Sequence, residues 1–287
     1  MNLASANLTS AIERNVAAAL AEDVGSGDLT AQLVPDVPDA QAVVISRQQA
    51  VLCGTAWFDA CVLKLDPHAR LRWHAHDGDR VAPAARLCEI TGSSRALLTA
   101  ERIALNFLQL LSATATVTRQ YVDAVQGTRA AILDTRKTLP GLRVAQKYAV
   151  TTGGGMNHRM GLWDAILIKE NHIAAAGGIR PALAAATALA AQAQWVQVEV
   201  ETPEQLQEAV AAGAKMILLD NMTLEQMRAA VAWTAGRAQL EASGGITLEN
   251  VLAIAETGVD RISIGALTKD VAAVDLSMRI MPRSNKQ

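Results

Sequence analysis

Apolar positions recur at helical spacing near the start of the chain. Ile12, Val16 and Leu20 share one face, Ser10 and Glu13 form a capping box, and Gly25 follows as a stop, so a helix is predicted over 10–22. Residues 43–46 read as a strand and 55–65 as a helix. Leu71, Trp73 and Ala75 alternate with Arg72 and His74, the pattern of a half-buried strand that ends at Asp77-Gly78-Asp79. Residues 94–125 form one long, mostly apolar helical pattern. Ile103, Phe107, Leu110 and Leu111 lie on one side of it, and Arg102, Asn106 and Gln109 make a polar stripe at i, i+4 and i+7. That stripe is either a solvent face or one turned to a subunit boundary or a site; the pattern leaves both open.

From Ala130 onward short apolar runs alternate with helical ones. Strands are predicted at 131–133, 165–168, 196–200, 216–219, 240–242 and 262–264, and helices at 181–192, 203–212, 224–235 and 248–256, with Pro203 suited to a first helical position. This is the order of a parallel α/β fold. Six strands are fewer than the eight of a full barrel, so an irregular, open α/β barrel is expected. The barrel is preferred to an open sheet because nearly every strand releases polar residues at its C-terminal end, where α/β barrels carry their sites.

Those strand ends define the candidate chemistry. The first run breaks into Asp134-Thr135-Arg136-Lys137 and the second into Lys169-Glu170-Asn171-His172, with Arg143, Lys147, His158 and Arg159 between them. A solvated basic loop is the plainer reading. It is weakened because the cations directly follow buried strands, where they would build a pocket for an anion with several charged groups. Gly153, Gly154 and Gly155 lie among them but do not make a P-loop. Later strands end in Glu199 and Glu201, which are two apart and so point to one side, then in Asp220 and Asn221, in Ser243-Gly244-Gly245, and in Gly265. The last two loops suit a phosphate cradle of backbone N–H groups. Glu199 and Asp220 suit Mg²⁺, which takes few carboxylates and completes its shell with water and phosphate oxygens. The whole set fits joining a carboxylated molecule to a phosphorylated one. A Schiff base on Lys169 is the rival chemistry. His74, His76 and Asp77 could suggest a metal site, but an exposed strand end is the preferred reading, since no third ligand follows at a recognisable spacing.

Composition narrows the partners. The chain has 287 residues with 51% hydrophobic and 19% charged, enough for one large or two ordinary domains with a sizeable core. A net charge of −2 and 3% aromatic residues argue against a nucleic-acid polymer, so the local cations fit a small anionic ligand. Cys53, Cys61 and Cys88 are odd in number and lack C-x-x-C spacing, which fits a reducing compartment. The N-terminus lacks a cationic region followed by a long apolar one, and no run reaches the length of a membrane span, so the expectation is a cytoplasmic protein with no membrane partner.

The blocks Asp134-Thr135-Arg136-Lys137-Thr138-Leu139-Pro140-Gly141, Gly153-Gly154-Gly155-Met156-Asn157-His158-Arg159 and Leu167-Ile168-Lys169-Glu170-Asn171-His172 resemble the quinolinate phosphoribosyltransferases. Glu199, Leu219-Asp220-Asn221, Glu241-Ala242-Ser243-Gly244-Gly245-Ile246, Ile264-Gly265-Ala266-Leu267 and the N-terminal Glu22–Asp28 and Glu101–Asn106 segments extend the likeness over nearly the whole chain. The resemblance implies an N-terminal α/β sandwich domain at 1–112, an irregular open α/β barrel at 113–270, and a tail at 271–287 that returns to the first domain. It implies transfer of phosphoribose from phosphoribosyl pyrophosphate to quinolinate with decarboxylation, giving nicotinate mononucleotide for NAD synthesis, with Mg²⁺ as cofactor. It implies a homodimer, with larger assemblies left open, whose sites join one chain's barrel to the other's N-terminal domain. Carried over by residue, Arg136, Lys137, His158, Arg159 and Lys169 resemble the quinolinate pocket, and Arg102 resembles an arginine donated by the neighbouring subunit. Glu199 and Asp220 resemble the acids that handle Mg²⁺ and ribose; Asn221, Ser243, Gly244 and Gly265 resemble phosphate contacts. Lys137, Lys169, Glu199 and Asp220 are the implied catalytic set. Lys269 departs from the histidine common in relatives, and Ala113 from a glycine.

Overall fold

The structure, a computed structural model, describes residues 5–281. Its elements run α1 (Ser5–Asp23), β1 (Ala40–Ser46), β2 (Ala50–Val51), α2 (Thr55–Leu65), β3 (Arg70–Trp73), β4 (Arg80–Val81), β5 (Arg86–Gly92), α3 (Ser94–Ala124), β6 (Ala131–Leu133) and α4 (Arg143–Thr152). They continue with β7 (Ile166–Ile168), α5 (Glu170–Ala176), α6 (Ile179–Leu189), β8 (Val196–Val200), α7 (Pro203–Ala211), β9 (Met216–Asp220) and α8 (Leu224–Thr234). The last are β10 (Gln239–Ser243), α9 (Val251–Ala255), β11 (Arg261–Ser263), α10 (Ala266–Lys269) and β12 (Leu276–Ile280). Among the described residues no single helix is long and apolar enough to cross a membrane.

The chain divides into two units. The first takes residues up to 117, 139–154 and everything from 270; the second takes 118–138 and 155–269. In the first, four antiparallel strands lie in the order β12-β1-β5-β3, beside a separate β2-β4 pair. Val44 is level with Cys88 on one side and Met278 on the other, so the chain's last strand completes this sheet. Ala42, Val44 and Ile90 share a buried core with Trp57, Phe58, Cys61 and Val62 of α2 and Leu97, Ala104, Leu105, Leu108 and Leu111 of α3. Trp57 and Phe58 are fully buried, and truncating either to alanine would cost about 3–5 kcal/mol.

Two expectations change here. Helix α1 starts at Ser5, so Ser10 is inside it and its hydroxyl accepts from the Arg14 guanidinium rather than capping. No proline or glycine precedes Ser10 to stop the helix, and Leu8 adds to its apolar face. Segment 139–154, placed by sequence in the second domain, belongs to the first unit. Asn15 Nδ2 donates to Gly141 O at 3.1 Å, Tyr148 OH donates to Asp77 Oδ2 at 2.8 Å, and the Tyr148 ring lies 5.7 Å from that of Trp57. Ala145 and Ala149 of α4 join the first unit's core, which is why the segment follows it.

The second unit is a six-stranded parallel sheet in the order β6-β11-β10-β9-β8-β7. Its strands are buried apolar runs: Val198 and Val200, Ile217 and Leu219, Leu240 and Ala242, Ile262. The sheet stays open, with β6 and β7 at its edges, and Met156 forms one parallel bridge to Leu133 of β6. Thr202 caps α7 ahead of Pro203, and Thr223 with Gln226 forms a capping box on α8. Helix α9 is shorter than predicted. Asn250 accepts from Thr247 N at 2.8 Å and donates to Gly245 O at 2.9 Å, holding 245–250 as a turn.

Candidate active site

The C-terminal ends of the parallel strands carry most of the residues singled out by sequence. Arg136 and Lys137 follow β6, His158 and Arg159 lie in the 155–165 loop, and Lys169 follows β7. Glu199 is on β8, Asp220 and Asn221 end β9, Ser243 and Gly244 end β10, and Gly265 follows β11. Lys269 is exposed in the last turn of α10. Arg102 is exposed on α3 of the first unit, and Arg143 and Lys147 sit on α4 of that unit, Lys147 wholly buried. Glu201 lies one residue beyond β8 and is exposed, with its amide donating to Gln205 Oε1 at 2.7 Å, so it is outside the strand that carries Glu199. The alternation of side chains ends where the strand does.

Local hydrogen bonds hold the cationic loop. The wholly buried Asp134 accepts from His158 N at 2.9 Å and Asn157 Nδ2 at 2.6 Å. Asp164 accepts from Met160 N at 2.7 Å and Gly161 N at 3.0 Å. Two carboxylates thus shape the turn that presents Arg159, which is 7% exposed and donates to Ala165 O at 3.2 Å. Burial lowers the Arg159 pKa, the nearby Arg136 charge lowers it further, and Asp164 partly opposes both. Two guanidinium groups close enough to repel, one of them buried, form a site that an anion would relieve.

The other strand ends are equally specific. Lys169 Nζ is 3.2 Å from Glu199 Oε2. The Lys169 amide donates to His172 Nδ1 at 3.0 Å, fixing the start of α5. Lys137 O accepts from Thr268 Oγ1 at 2.7 Å. A β-carbon at Gly265 would meet Lys137 Cδ at 2.9 Å, so the lysine stem lies against bare backbone. Asn221, left-handed at φ 52°, donates through Nδ2 to Asp220 Oδ2 at 2.9 Å and through its amide to Ser243 O at 3.0 Å. Gly244 has φ 104°, and a β-carbon there would lie 2.8 Å from Asn221 Cγ. The loops after β9 and β10 are therefore interlocked.

Among the described residues no three His, Cys, Asp or Glu side chains converge on a metal position. That includes His74, His76 and Asp77: His74 Nε2 faces Glu89 Oε1 at 3.4 Å, and Asp77 accepts from the Gly54 and Thr55 amides. Glu199 and Asp220 lie near the ends of neighbouring strands β8 and β9. Two carboxylates near glycine-bearing loops suit a Mg²⁺ that completes its shell with water and ligand oxygens better than a caged metal.

Residues 114–279 match the quinolinate phosphoribosyl transferase C-terminal domain, and residues 28–112 match its N-terminal domain. The chain belongs to the quinolinate phosphoribosyltransferase family. It is 42% identical over 259 residues to the probable nicotinate-nucleotide pyrophosphorylase (carboxylating) of Bacillus subtilis, covering 90% of both chains. To the Mycobacterium leprae nicotinate-nucleotide pyrophosphorylase it is 43% identical over 270 residues, covering 91% of this chain and 94% of that one. The structure of the nicotinate-nucleotide pyrophosphorylase from Francisella tularensis superposes with a TM-score of 0.92 at 46% identity, covering 95% of this chain and 96% of that chain. Sequence reasoning about this phosphoribosyltransferase missed two polar residues inside the sheet, Gln197 and Glu241, each 1% exposed. The signal was available: they stand two positions before Glu199 and Ser243 on the same strands and so share their face.

Proposed function

We propose that this chain transfers phosphoribose from phosphoribosyl pyrophosphate to quinolinate and releases pyrophosphate and CO₂, leaving nicotinate mononucleotide. The observation that carries this reading within the family is the buried Arg159 guanidinium beside Arg136, in a unit whose other strand ends offer acids and glycine loops. Quinolinate brings two adjacent carboxylates, which suit Arg136, Arg159, Lys137 and Lys169. Asn221, Ser243, Gly244 and Gly265 suit the phosphates, and Lys269 stands one short helix beyond Gly265.

The chemistry is positioning and electrostatics. The C1–O bond to pyrophosphate breaks with its electron pair on the leaving oxygen, and C1 gains oxocarbenium character. Glu199 and Asp220 would hold Mg²⁺, which when bound would supply charge neutralisation for the pyrophosphate. Glu199 and Asp220 also face the ribose, where their negative charge favours the developing cation. The pyridine nitrogen donates its electron pair to C1. The C2–carboxylate bond then breaks, CO₂ leaves, and the electron pair stays at C2 beside the quaternised nitrogen until a proton is taken up. Lys169, paired with Glu199 at 3.2 Å, links the quinolinate side of the site to the ribose side.

The active assembly in this proposal is a homodimer in which Arg102 of one chain completes the other chain's site. A cytoplasmic setting goes with it. Cys53, Cys61 and Cys88 are free and buried, and burial pushes the thiols of Cys61 and Cys88 up to about 12, which keeps them inert. The deciding assay mixes purified protein, quinolinate, phosphoribosyl pyrophosphate and Mg²⁺ and follows nicotinate mononucleotide. Nicotinate, with one carboxylate fewer, is expected to be a poor substrate because cations would be left unpaired. Absence of product from quinolinate would refute the reading, and equal turnover of both acids would refute the pocket assignment.

A further inference from the structure

His158 entered the sequence reading as one of the cations of the quinolinate pocket. Its hydrogen bonds describe something else. The imidazole is 6% exposed and lies edge-on to the Trp195 ring, with centroids 4.9 Å apart. Nδ1 accepts the backbone N–H of Arg159 at 2.9 Å, so Nδ1 carries no proton. The ring is then neutral and its proton is on Nε2. That N–H faces Gln197 Oε1 at 3.1 Å and Glu241 Oε1 at 3.6 Å. Gln197 Nε2 in turn donates to Glu241 Oε2 at 3.1 Å, which leaves the amide oxygen for the histidine.

Donor and acceptor roles run one way along this chain: Glu241 accepts from Gln197, Gln197 accepts from His158, and His158 accepts from Arg159. No group in it is asked to donate at a position where it must accept. Gln197 and Glu241 stand one side-chain layer below Glu199 and Ser243 on β8 and β10, so this polar layer is the floor beneath the strand ends. Asp134 holds the backbone of the same histidine through its amide at 2.9 Å.

We propose that Gln197 and Glu241 are positioning residues that fix His158 as the neutral Nε2–H tautomer, and that His158 serves by aiming the Arg159 backbone rather than by adding charge to the pocket. The proposal rests on quinolinate being the substrate, and its test separates the two. Selective ¹⁵N-histidine NMR on the free enzyme, with the His158 signal identified by its loss in His158→Asn, should show a neutral Nε2–H ring that stays neutral where an exposed histidine titrates. A doubly protonated His158 in the free enzyme would overturn the proposal without touching the substrate assignment. Kinetics supply the second arm. Glu241→Gln, close to isosteric, places an amide donor against the Nε2–H, and Gln197→Leu removes the bridge. Each should raise KM for quinolinate about tenfold while KM for phosphoribosyl pyrophosphate stays within about twofold. His158→Asn, whose carbonyl oxygen can still accept from the Arg159 amide, should retain far more activity than His158→Phe. Equal damage from Asn and Phe, or an unchanged quinolinate KM in both floor variants, would overturn the positioning role. An enzyme with no turnover of quinolinate at all would refute the substrate reading and leave the NMR arm to decide the tautomer.

Discussion

Replacing Gly244 with alanine should damage the loop proposed to hold phosphate by a route that its neighbour Gly245 does not share. Both glycines have left-handed backbones, φ 104° for Gly244 and φ 58° for Gly245. An L-residue there costs about 1–2 kcal/mol. At Gly245 nothing lies within 4 Å of the added carbon, so strain is the whole effect. At Gly244 the carbon would sit 2.8 Å from Asn221 Cγ and 3.2 Å from Asn221 N, so Asn221 must move. Moving it strains the bonds from Asn221 Nδ2 to Asp220 Oδ2 at 2.9 Å and from Asn221 N to Ser243 O at 3.0 Å. Exposed hydrogen bonds sit at the low end of about 0.5–1.5 kcal/mol each. Gly245→Ala should therefore lose about 1–2 kcal/mol and Gly244→Ala about 2–4 kcal/mol. At about 2–4 °C per kcal/mol in a chain of this size, the two melting curves should separate by several degrees. Steady-state kinetics should show KM for phosphoribosyl pyrophosphate raised about tenfold or more in Gly244→Ala and much less in Gly245→Ala, with KM for quinolinate little changed in both. Matching melting temperatures and matching KM values for the two variants would show that Asn221 does not depend on the bare backbone at Gly244.

Other perturbations test separate parts of the molecule. Arg136→Lys should raise KM for quinolinate by about tenfold or more, because lysine lacks the bidentate fork; a near-normal value would remove Arg136 from the pocket. Arg102→Ala and Lys169→Ala should each be nearly inactive, yet refolding them together should restore roughly a quarter of all sites if Arg102 acts across the dimer. No recovery with mixed dimers demonstrated would rule that out. Asp59 has its pKa raised, chiefly by burial, with Trp73 Nε1–H donating to Oδ1 at 2.8 Å as a partial offset. A raised carboxyl stabilises the fold below its unfolded pKa and loses that contribution as pH rises through the folded value. Asp59→Asn should therefore be more stable than the parent near neutrality and indistinguishable from it in acid below the ordinary aspartate range. Denaturant melts at several pH values measure this, and a gain that persists in acid would contradict it.

Much of the second unit was legible because its signals are local. The six strands were found from short apolar runs, and their real bounds differ by a residue or so, as in Gln239–Ser243 against a predicted 240–242. The strand ends placed the polar residues because parallel strands all release their chains on one side. What was not legible depended on long-range contacts. Helix α4 has an ordinary amphipathic sequence, and nothing local says that Tyr148 will reach Asp77 and Trp57, some seventy and ninety positions earlier in the chain but in the same unit. Strand β5 went unpredicted although it is central in its sheet, because its buried positions Leu87, Cys88 and Ile90 do not alternate cleanly. Val44 faces Cys88 but Ile45 faces Arg86, so Leu87 is an extra residue in β5, and this register shift is the structural counterpart of that broken alternation.

Alternation at Glu199 is informative in one direction only. Read forward it pairs Glu199 with Glu201, but β8 ends at Val200 and the rule ends with it. Read backward it pairs Glu199 with Gln197, which lies within the strand and is buried facing His158 and Glu241. Alternation holds only while a residue is bound into the ladder, so the informative neighbour of a strand-end acid is the one before it. The same step from Ser243 leads to Glu241. Two polar residues that are 1% exposed, flanked in their strands by Val196 and Val198 and by Leu240 and Ala242, must find partners inside the sheet. The partner they find is a histidine whose type suggests a cation and whose hydrogen bonds require a neutral ring. Residue identity can nominate a site residue; its donors and acceptors decide the charge it brings.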